Sequence, residues 1–180
     1  MNHIIKTTRF GEIEISEDHL INFVDGIIGF PQLKRYVLIE SNIIPLIWWL
    51  QSMDAPEVAF PVAEPYFFKR DYKVVMTDAD RHCLQYEVTD RLKVLNILTI
   101  PTEMARMTVN LKAPVVIDIQ KATGTQVIMQ DKTLEVRTPA WEKFNIAMSS
   151  FAIEQSVDDV GTSESFNAVN VRREEREAGI

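Results

Sequence analysis

The first 130 residues consist of short apolar runs that proline, glycine, aspartate and asparagine repeatedly interrupt. An early run, Glu12 to Ile15, alternates glutamate with isoleucine, which is the two-residue period of a half-buried strand. A later run, Val94 to Ile100, is rich in strand-forming residues and stops at Pro101. Because no long helical pattern separates these runs, the sequence predicts a mostly β sandwich or barrel and argues against a doubly wound sheet.

The C-terminal part of the chain has a different pattern. Apolar residues recur at spacings of three, four and three, as on one face of a helix, at Trp141, Phe144, Met148 and Phe151. Thr138-Pro139 supplies an N-cap and a proline for the start of this short amphipathic helix. After Gln155 polar and charged residues dominate, which predicts a flexible, disordered tail or a solvent-exposed helix at the very end. We therefore predict one domain over residues 1–153 and a polar tail over residues 154–180.

The stretch from Trp48 to Pro61 combines the largest apolar groups with a polar turn. Trp48-Trp49-Leu50 leads into the corner Gln51 to Pro56, and a second apolar run, Val58 to Phe60, follows. Two strand-like runs joined by turn residues predict a hairpin or a tight strand corner. Polar side chains on a stiff apolar base suit a recognition surface, and they equally suit a plain structural turn.

Composition and charge exclude several classes of function. The formal net charge is -7, and such a surface repels phosphate backbones, so direct nucleic-acid binding is disfavoured. Cys83 is the only cysteine, which rules out an internal disulfide and fits a reducing compartment. The sequence shows neither a signal-peptide pattern nor an apolar run long enough for a membrane helix. We expect a cytoplasmic protein without membrane contact.

Only one group of residues suggests catalytic or metal chemistry. Asp78, Asp80 and His82 occupy alternate positions, so on a strand they would share a face and would suit a divalent metal. The segment also has the composition of a polar connector, where aspartate is common for turn reasons. A small β-barrel enzyme with a metal site near these residues is therefore an alternative hypothesis.

Five stretches, in order, resemble the FliW-type flagellar assembly factors. They are Thr8–Ile13, Ile21–Phe30, Tyr36–Ile39, Trp49–Phe60 and Met107–Ile117. The resemblance implies a small antiparallel β-barrel-like single domain without enzymatic activity, cofactor or metal. Beyond about Gln130 the chain fits the family only loosely.

The resemblance also implies two protein partners. One is CsrA, an RNA-binding repressor of translation, and the other is flagellin, bound at its C-terminal region. In such proteins flagellin occupies the assembly factor until export, and the freed factor then removes CsrA from the flagellin message. A generic flagellin or export chaperone without a link to CsrA is an alternative. We expect the free protein to be monomeric.

The matching motifs indicate candidate partner-binding residues. The first group is Gln51, Ser52, Met53 and Asp54, of which we expect Gln51, Ser52 and Asp54 to be exposed on a core of Trp49, Leu50 and Phe60. The second group is Met107 and Asn110. Nothing in the sequence indicates whether CsrA and flagellin share one surface.

Deletion of Gln155 to Ile180 should leave the fold and partner binding intact, because the resemblance ends before this segment. Circular dichroism would test the fold, and calorimetric titration with CsrA would test binding. A truncated protein that folds but no longer binds CsrA would contradict this prediction.

Overall fold

The computed structural model describes residues 2–87 and 91–157. The strands are β1 (Asn2–Thr7), β2 (Gly11–Ser16), β3 (Ile21–Phe23), β4 (Arg35–Glu40), β5 (Trp48–Ser52), β6 (Ala59–Ala63), β7 (Leu92–Thr99), β8 (Thr108–Val109), β9 (Val115–Asp118), β10 (Thr123–Gln126) and β11 (Thr138–Pro139). Two α-helices, α1 (Asp78–Cys83) and α2 (Trp141–Val157), and three 3-10 turns, Glu17–His19, Pro65–Phe67 and Met104–Arg106, complete the described elements. The predicted mostly β class is confirmed.

Seven of the strands close into a barrel in the order β7-β6-β5-β4-β3-β10-β9. The last strand, β9, pairs back with β7 in antiparallel register, from Leu92 opposite Asp118 to Leu95 opposite Val115. The neighbours are antiparallel except for β3 and β10, which run parallel. Because closure pairs every barrel strand on both sides, the barrel itself exposes no strand edge. The structure thus selects the barrel over the sandwich.

The barrel interior is filled by alternate residues of its strands. Tyr36 and Leu38 of β4 lie inside with Leu50 of β5 and Val62 of β6, and each is at most 1% exposed. The Tyr36 ring meets Phe23 edge to face, with centroids 5.1 Å apart. Burial, assisted by the Asp54 carboxylate, raises the pKa of Tyr36 to about 12, so its phenol stays neutral.

The outer face of β4 is also buried. Val37 and Ile39 point away from the interior and pack against Ile13 and Ile15 of the β1–β2 hairpin, which covers this side of the barrel. A strand covered on both faces requires a continuous apolar run, and Tyr36 to Ile39 is such a run.

Helix α2 packs on the outside of the barrel through one apolar face. Phe144 is fully buried and stacks on Phe68, with centroids 6.2 Å apart, while Trp141 and Met148 are partly buried beside it. The predicted helix is confirmed, although its 17 residues exceed the short helix expected. The predicted start was wrong, because Thr138-Pro139 pairs with β8 as strand β11. The helix also carries the first four residues assigned to the tail, and residues 158–180 lie outside the described residues.

The loop from Gly26 to Phe30 contains two glycines in the left-handed backbone region. Gly26 and Gly29 both have positive φ, 71° and 88°. A Cβ on Gly26 would lie 2.6 Å from the Phe30 carbonyl oxygen, whereas one on Gly29 would meet nothing within 4 Å.

We therefore expect Gly29→Ala to lower the free energy of unfolding by about 1–2 kcal/mol, from positive φ alone. Gly26→Ala should cost roughly 1–3 kcal/mol more, because the clash is with backbone that cannot rotate away. Urea unfolding of both variants measures the difference. Equal losses would contradict the role assigned to the close approach at Gly26.

Candidate partner-binding surface

The corner between β5 and β6 is a hairpin, as the sequence predicts. Leu50 lies opposite Phe60, and Gln51 opposite Ala59. The Ser52 N–H donates to the Val58 carbonyl at 2.9 Å. The Ser52 hydroxyl accepts hydrogen bonds from the N–H groups of Asp54 and Ala55, both at 3.1 Å. These bonds fix the turn that follows β5.

Gln51 and Ser52 are fully buried, so the prediction that they are exposed was wrong. The Gln51 side-chain amide donates to the carbonyls of Ser52, Pro56 and Val58 at 2.8, 3.2 and 3.1 Å. The tight turn points several backbone carbonyls at one place, and buried carbonyls need a donor. A polar side chain that supplies one is therefore part of the turn and is not available to a partner.

Asp54 lies at the surface, but its carboxylate is occupied within the protein. One oxygen accepts from the N–H groups of Lys34 and Arg35 at 2.7 and 2.9 Å. The other lies 2.8 Å from both Nε and Nη2 of Arg35. Partial burial by itself would raise the pKa of Asp54, but these hydrogen bonds and the guanidinium charge together lower it. The contact fastens the corner to the start of β4.

The apolar base of the corner is only partly core. Leu50 is fully buried, whereas Trp49 and Phe60 are half-buried. Phe10 meets the Trp49 ring edge to face, with centroids 6.1 Å apart. The Arg9 guanidinium carbon lies 3.8 Å from the ring centroid, a cation–π contact. The Thr8 N–H donates to the Pro56 carbonyl at 3.2 Å and so joins the β1–β2 loop to the corner.

We call this surface the Trp49 shelf, formed by Arg9, Phe10, Ile43, Ile44 and Trp49. These residues line a cavity of about 220 Å³. Ile43 is 82% exposed and forms an apolar wall. Arg9 makes no ion pair within the described residues. Sequence reasoning did not select Arg9 or Ile43, although Arg9 belongs to the first matching motif.

The second candidate group lies elsewhere on the barrel. Met107 is 1% exposed and belongs to the core beneath α2. The side-chain oxygen of Asn110 accepts from the Ala113 N–H at 2.9 Å, and the backbone N–H of Asn110 donates to the Ile97 carbonyl at 2.9 Å. In the sheet, β8 is separated from β5 by β7 and β6. The structure therefore does not bring Met107 and Asn110 together with the corner.

The alternative metal site does not form as the sequence suggested. Asp78 to Cys83 is helix α1, capped by Thr77, whose hydroxyl accepts from the Asp80 N–H while Asp80 accepts from the Thr77 N–H. Alternate residues point to different sides of a helix, so the shared face of a strand is lost. Among residues 2–87 and 91–157, no group of three or more histidine, cysteine, aspartate or glutamate side chains is placed to hold a metal ion.

Two further observations concern the reactivity of Cys83 and the length of the helices. The Cys83 thiol donates to the Asp25 carboxylate at 3.1 Å, and this bond, followed by burial, raises its thiol pKa. A raised pKa keeps the thiol protonated and less nucleophilic. None of the helices in the described part combines the length and the apolar character needed to cross a bilayer.

Asp54→Asn should lower the free energy of unfolding by about 1–3 kcal/mol near neutral pH, because charged hydrogen bonds are lost. The native pKa lies below the ordinary 3.8, so this stabilisation is present above that value and disappears as pH falls through the native pKa. Unfolding curves of both proteins from pH 7 downward should therefore converge in acid. A pH-independent difference would show that the charge of Asp54 contributes nothing.

Comparisons with known proteins show which family this chain resembles. The family model described as FliW protein matches residues 4–140. A flagellar assembly factor FliW from Bdellovibrio bacteriovorus is 39% identical over 140 residues, covering 78% of this chain and 80% of its own length. One from Lachnospira eligens is 39% identical over 144 residues, covering 77% and 94% respectively.

A solved structure extends the similarity to three dimensions. The crystal structure of the flagellar assembly factor FliW superposes with a TM-score of 0.72 at 29% sequence identity, covering 77% of this chain and 97% of the other. Residues 4–140, which the family model matches, contain the barrel, the corner and the Trp49 shelf. Because the sequence motifs, the fold and the relatives all agree, the chain belongs to the FliW family of flagellar assembly factors.

Proposed function

We propose that this flagellar assembly factor works by binding proteins, without catalysis, as an antagonist of CsrA that also binds flagellin. Family membership supports the general role. The Trp49 shelf is the observation that supports a binding surface. There Arg9, which makes no ion pair within the described residues, lies over the half-buried Trp49 ring. Tryptophan and arginine are enriched among the residues that dominate binding energy in interfaces.

The hydrogen-bonded corner prepares this surface for binding. Gln51 and Ser52 hold the turn from within, and Asp54 fastens it to Arg35, so little conformational freedom is left to lose. Met53 is half-buried and packs against the same apolar cluster as Trp49, and its flexible thioether can adapt to a partner. In the proposal Met53 and Asp54 lie at the interface, while Gln51 and Ser52 act by shaping it. Met107 and Asn110 act by shaping the barrel near β8.

Charge supplies the proposed antagonism. The chain has a net charge of -7, and Glu40 and Glu57 are exposed beside the shelf and in the corner. An acidic protein docked next to an RNA-binding surface adds negative potential there and disfavours an incoming phosphate backbone. RNA affinity can therefore fall without physical occupation of the RNA site. Flagellin in the cytoplasm completes the switch by withholding the factor from CsrA.

Calorimetric titration with CsrA tests the first part of the proposal. We expect Arg9→Ala and Trp49→Ala each to weaken binding by about tenfold or more, as for residues at the centre of an interface. Arg106→Ala, at an exposed arginine outside the shelf, is the control for Arg9. Trp48→Ala is the control for Trp49, because neighbouring strand residues face opposite sides. Thermal unfolding of each variant separates lost binding from lost stability.

Titration with flagellin already bound tests the second part. Abolished CsrA binding would establish mutually exclusive partners, whereas undisturbed binding would retain the antagonist role but require two independent surfaces. Absence of CsrA binding by the unmodified protein would overturn the antagonist proposal and leave a flagellin chaperone at most. Equal losses in the shelf variants and their controls would remove the shelf from the interface.

A further inference from the structure

A second concave surface lies between the 3-10 turn Pro65–Phe67, the loop before β11 and helix α2. We call it the α2 groove and define it by Tyr66, Phe67, Arg70, Leu134, Lys143 and Ile146. The cavity has a volume of about 620 Å³, within the range of roughly 300–1,000 Å³ that is usual for ligand pockets. Its residues do not overlap with those of the Trp49 shelf.

Apolar side chains are exposed on two walls of the groove. Ile146 of α2 is 61% exposed, although Phe144, two residues earlier, is fully buried against the barrel. Tyr66 on the facing turn is 54% exposed. Beneath them, Leu134 and Leu111 are buried and make the floor apolar. Exposed apolar residues that converge on one concavity mark a surface suited to a partner.

The charge of the groove is opposite in sign to that of the whole chain. Lys69 is neutralised by Asp71 at 2.8 Å. Lys143 donates to the Phe68 carbonyl at 2.8 Å, so its ammonium is positioned but not neutralised. Arg70 is exposed and makes no ion pair within the described residues. Among the residues that line the groove, Lys143 and Arg70 are the cations without an ion pair, and Glu135 is the one carboxylate besides Asp71, in a protein whose net charge is -7.

We propose that the α2 groove docks an acidic amphipathic peptide segment of a partner protein. Apolar side chains of the segment would cover Tyr66 and Ile146, and its carboxylates would pair with Arg70 and Lys143. Docking of one amphipathic face into an apolar groove is a common mode of peptide recognition, and charges at the rim select the sign of the ligand. This interaction is separate from the shelf and does not depend on CsrA binding there.

The probe is a fluorescein-labelled synthetic peptide in which leucine recurs at helical spacing and glutamate fills the remaining positions. Its control is the same peptide with lysine in place of glutamate. Fluorescence anisotropy with the full chain should show binding of the glutamate peptide that weakens as salt rises, because exposed charge pairs are screened. The lysine peptide should not bind.

Matched variants locate the binding. Arg70→Glu and Ile146→Ser should each weaken binding of the glutamate peptide by about tenfold, as expected for residues at the centre of an interface. Both side chains are exposed, so the fold should tolerate the changes. Arg106→Glu and Ile4→Ser make the same changes at exposed positions outside both the groove and the Trp49 shelf, and they should leave peptide affinity within about twofold. CsrA titration of Arg70→Glu should be unaffected.

Several results would overturn the proposal. They are absence of binding by the glutamate peptide, equal binding of the lysine peptide, and equal losses in the control variants. Concentration-dependent dimerisation that Ile146→Ser abolishes would assign the groove to a second copy of the chain. Tighter peptide binding after removal of residues 158–180 would assign it to the chain's own C-terminal segment.

Discussion

The pairing of β7 with β9 closes the barrel, and the rest of the structure depends on it. With this pairing in place, each barrel strand has a neighbour on both sides, and its inward residues share one dry interior. The outer faces then become platforms for additional layers. The β1–β2 hairpin covers Val37 and Ile39, and α2 covers the cluster around Met107. Both proposed binding surfaces lie where such a layer meets the barrel.

The parts of the fold that sequence patterns predicted are those specified by local periodicity. Alternation identified β2, turn residues identified the hairpin at the corner, and a helical spacing identified α2. The pairings that define the topology carry no such local signal. Parallel β3 and β10 join Asn22 to Thr123, which lie far apart in the chain, so no local pattern indicates this pairing. Sequence reasoning therefore predicted the strands and left a barrel and a sandwich equally possible until the family resemblance was considered.

The candidate site was predicted at the level of the segment but not of the side chain. Because Gln51 and Ser52 are polar, we expected them to be exposed to solvent. Both are buried, and the Gln51 amide donates to backbone carbonyls of the turn. The Arg9–Trp49 contact joins residues 40 positions apart, so no local pattern indicates it. Helix α1 is different, since the spacing of Thr77 and Asp80 is that of a capping box and was readable in advance. Tertiary contacts determine the burial of Gln51 and Ser52 and the Arg9–Trp49 contact, so local patterns could not predict them. Helix α1 could have been predicted from its capping residues.

The parallel pair β3–β10 has a consequence for the nascent chain. Phe23 lies opposite Gly124, and its ring occupies the space that a side chain at position 124 would need. Phe23 leaves the ribosome about 100 residues before Gly124. At about 5–20 residues per second, that interval lasts roughly 5–20 seconds. During this time the apolar faces of β3 to β6 have no complete interior to enter. Closure of the barrel therefore waits until β10 has been synthesised, and until then the exposed apolar strand faces make the incomplete chain prone to aggregation.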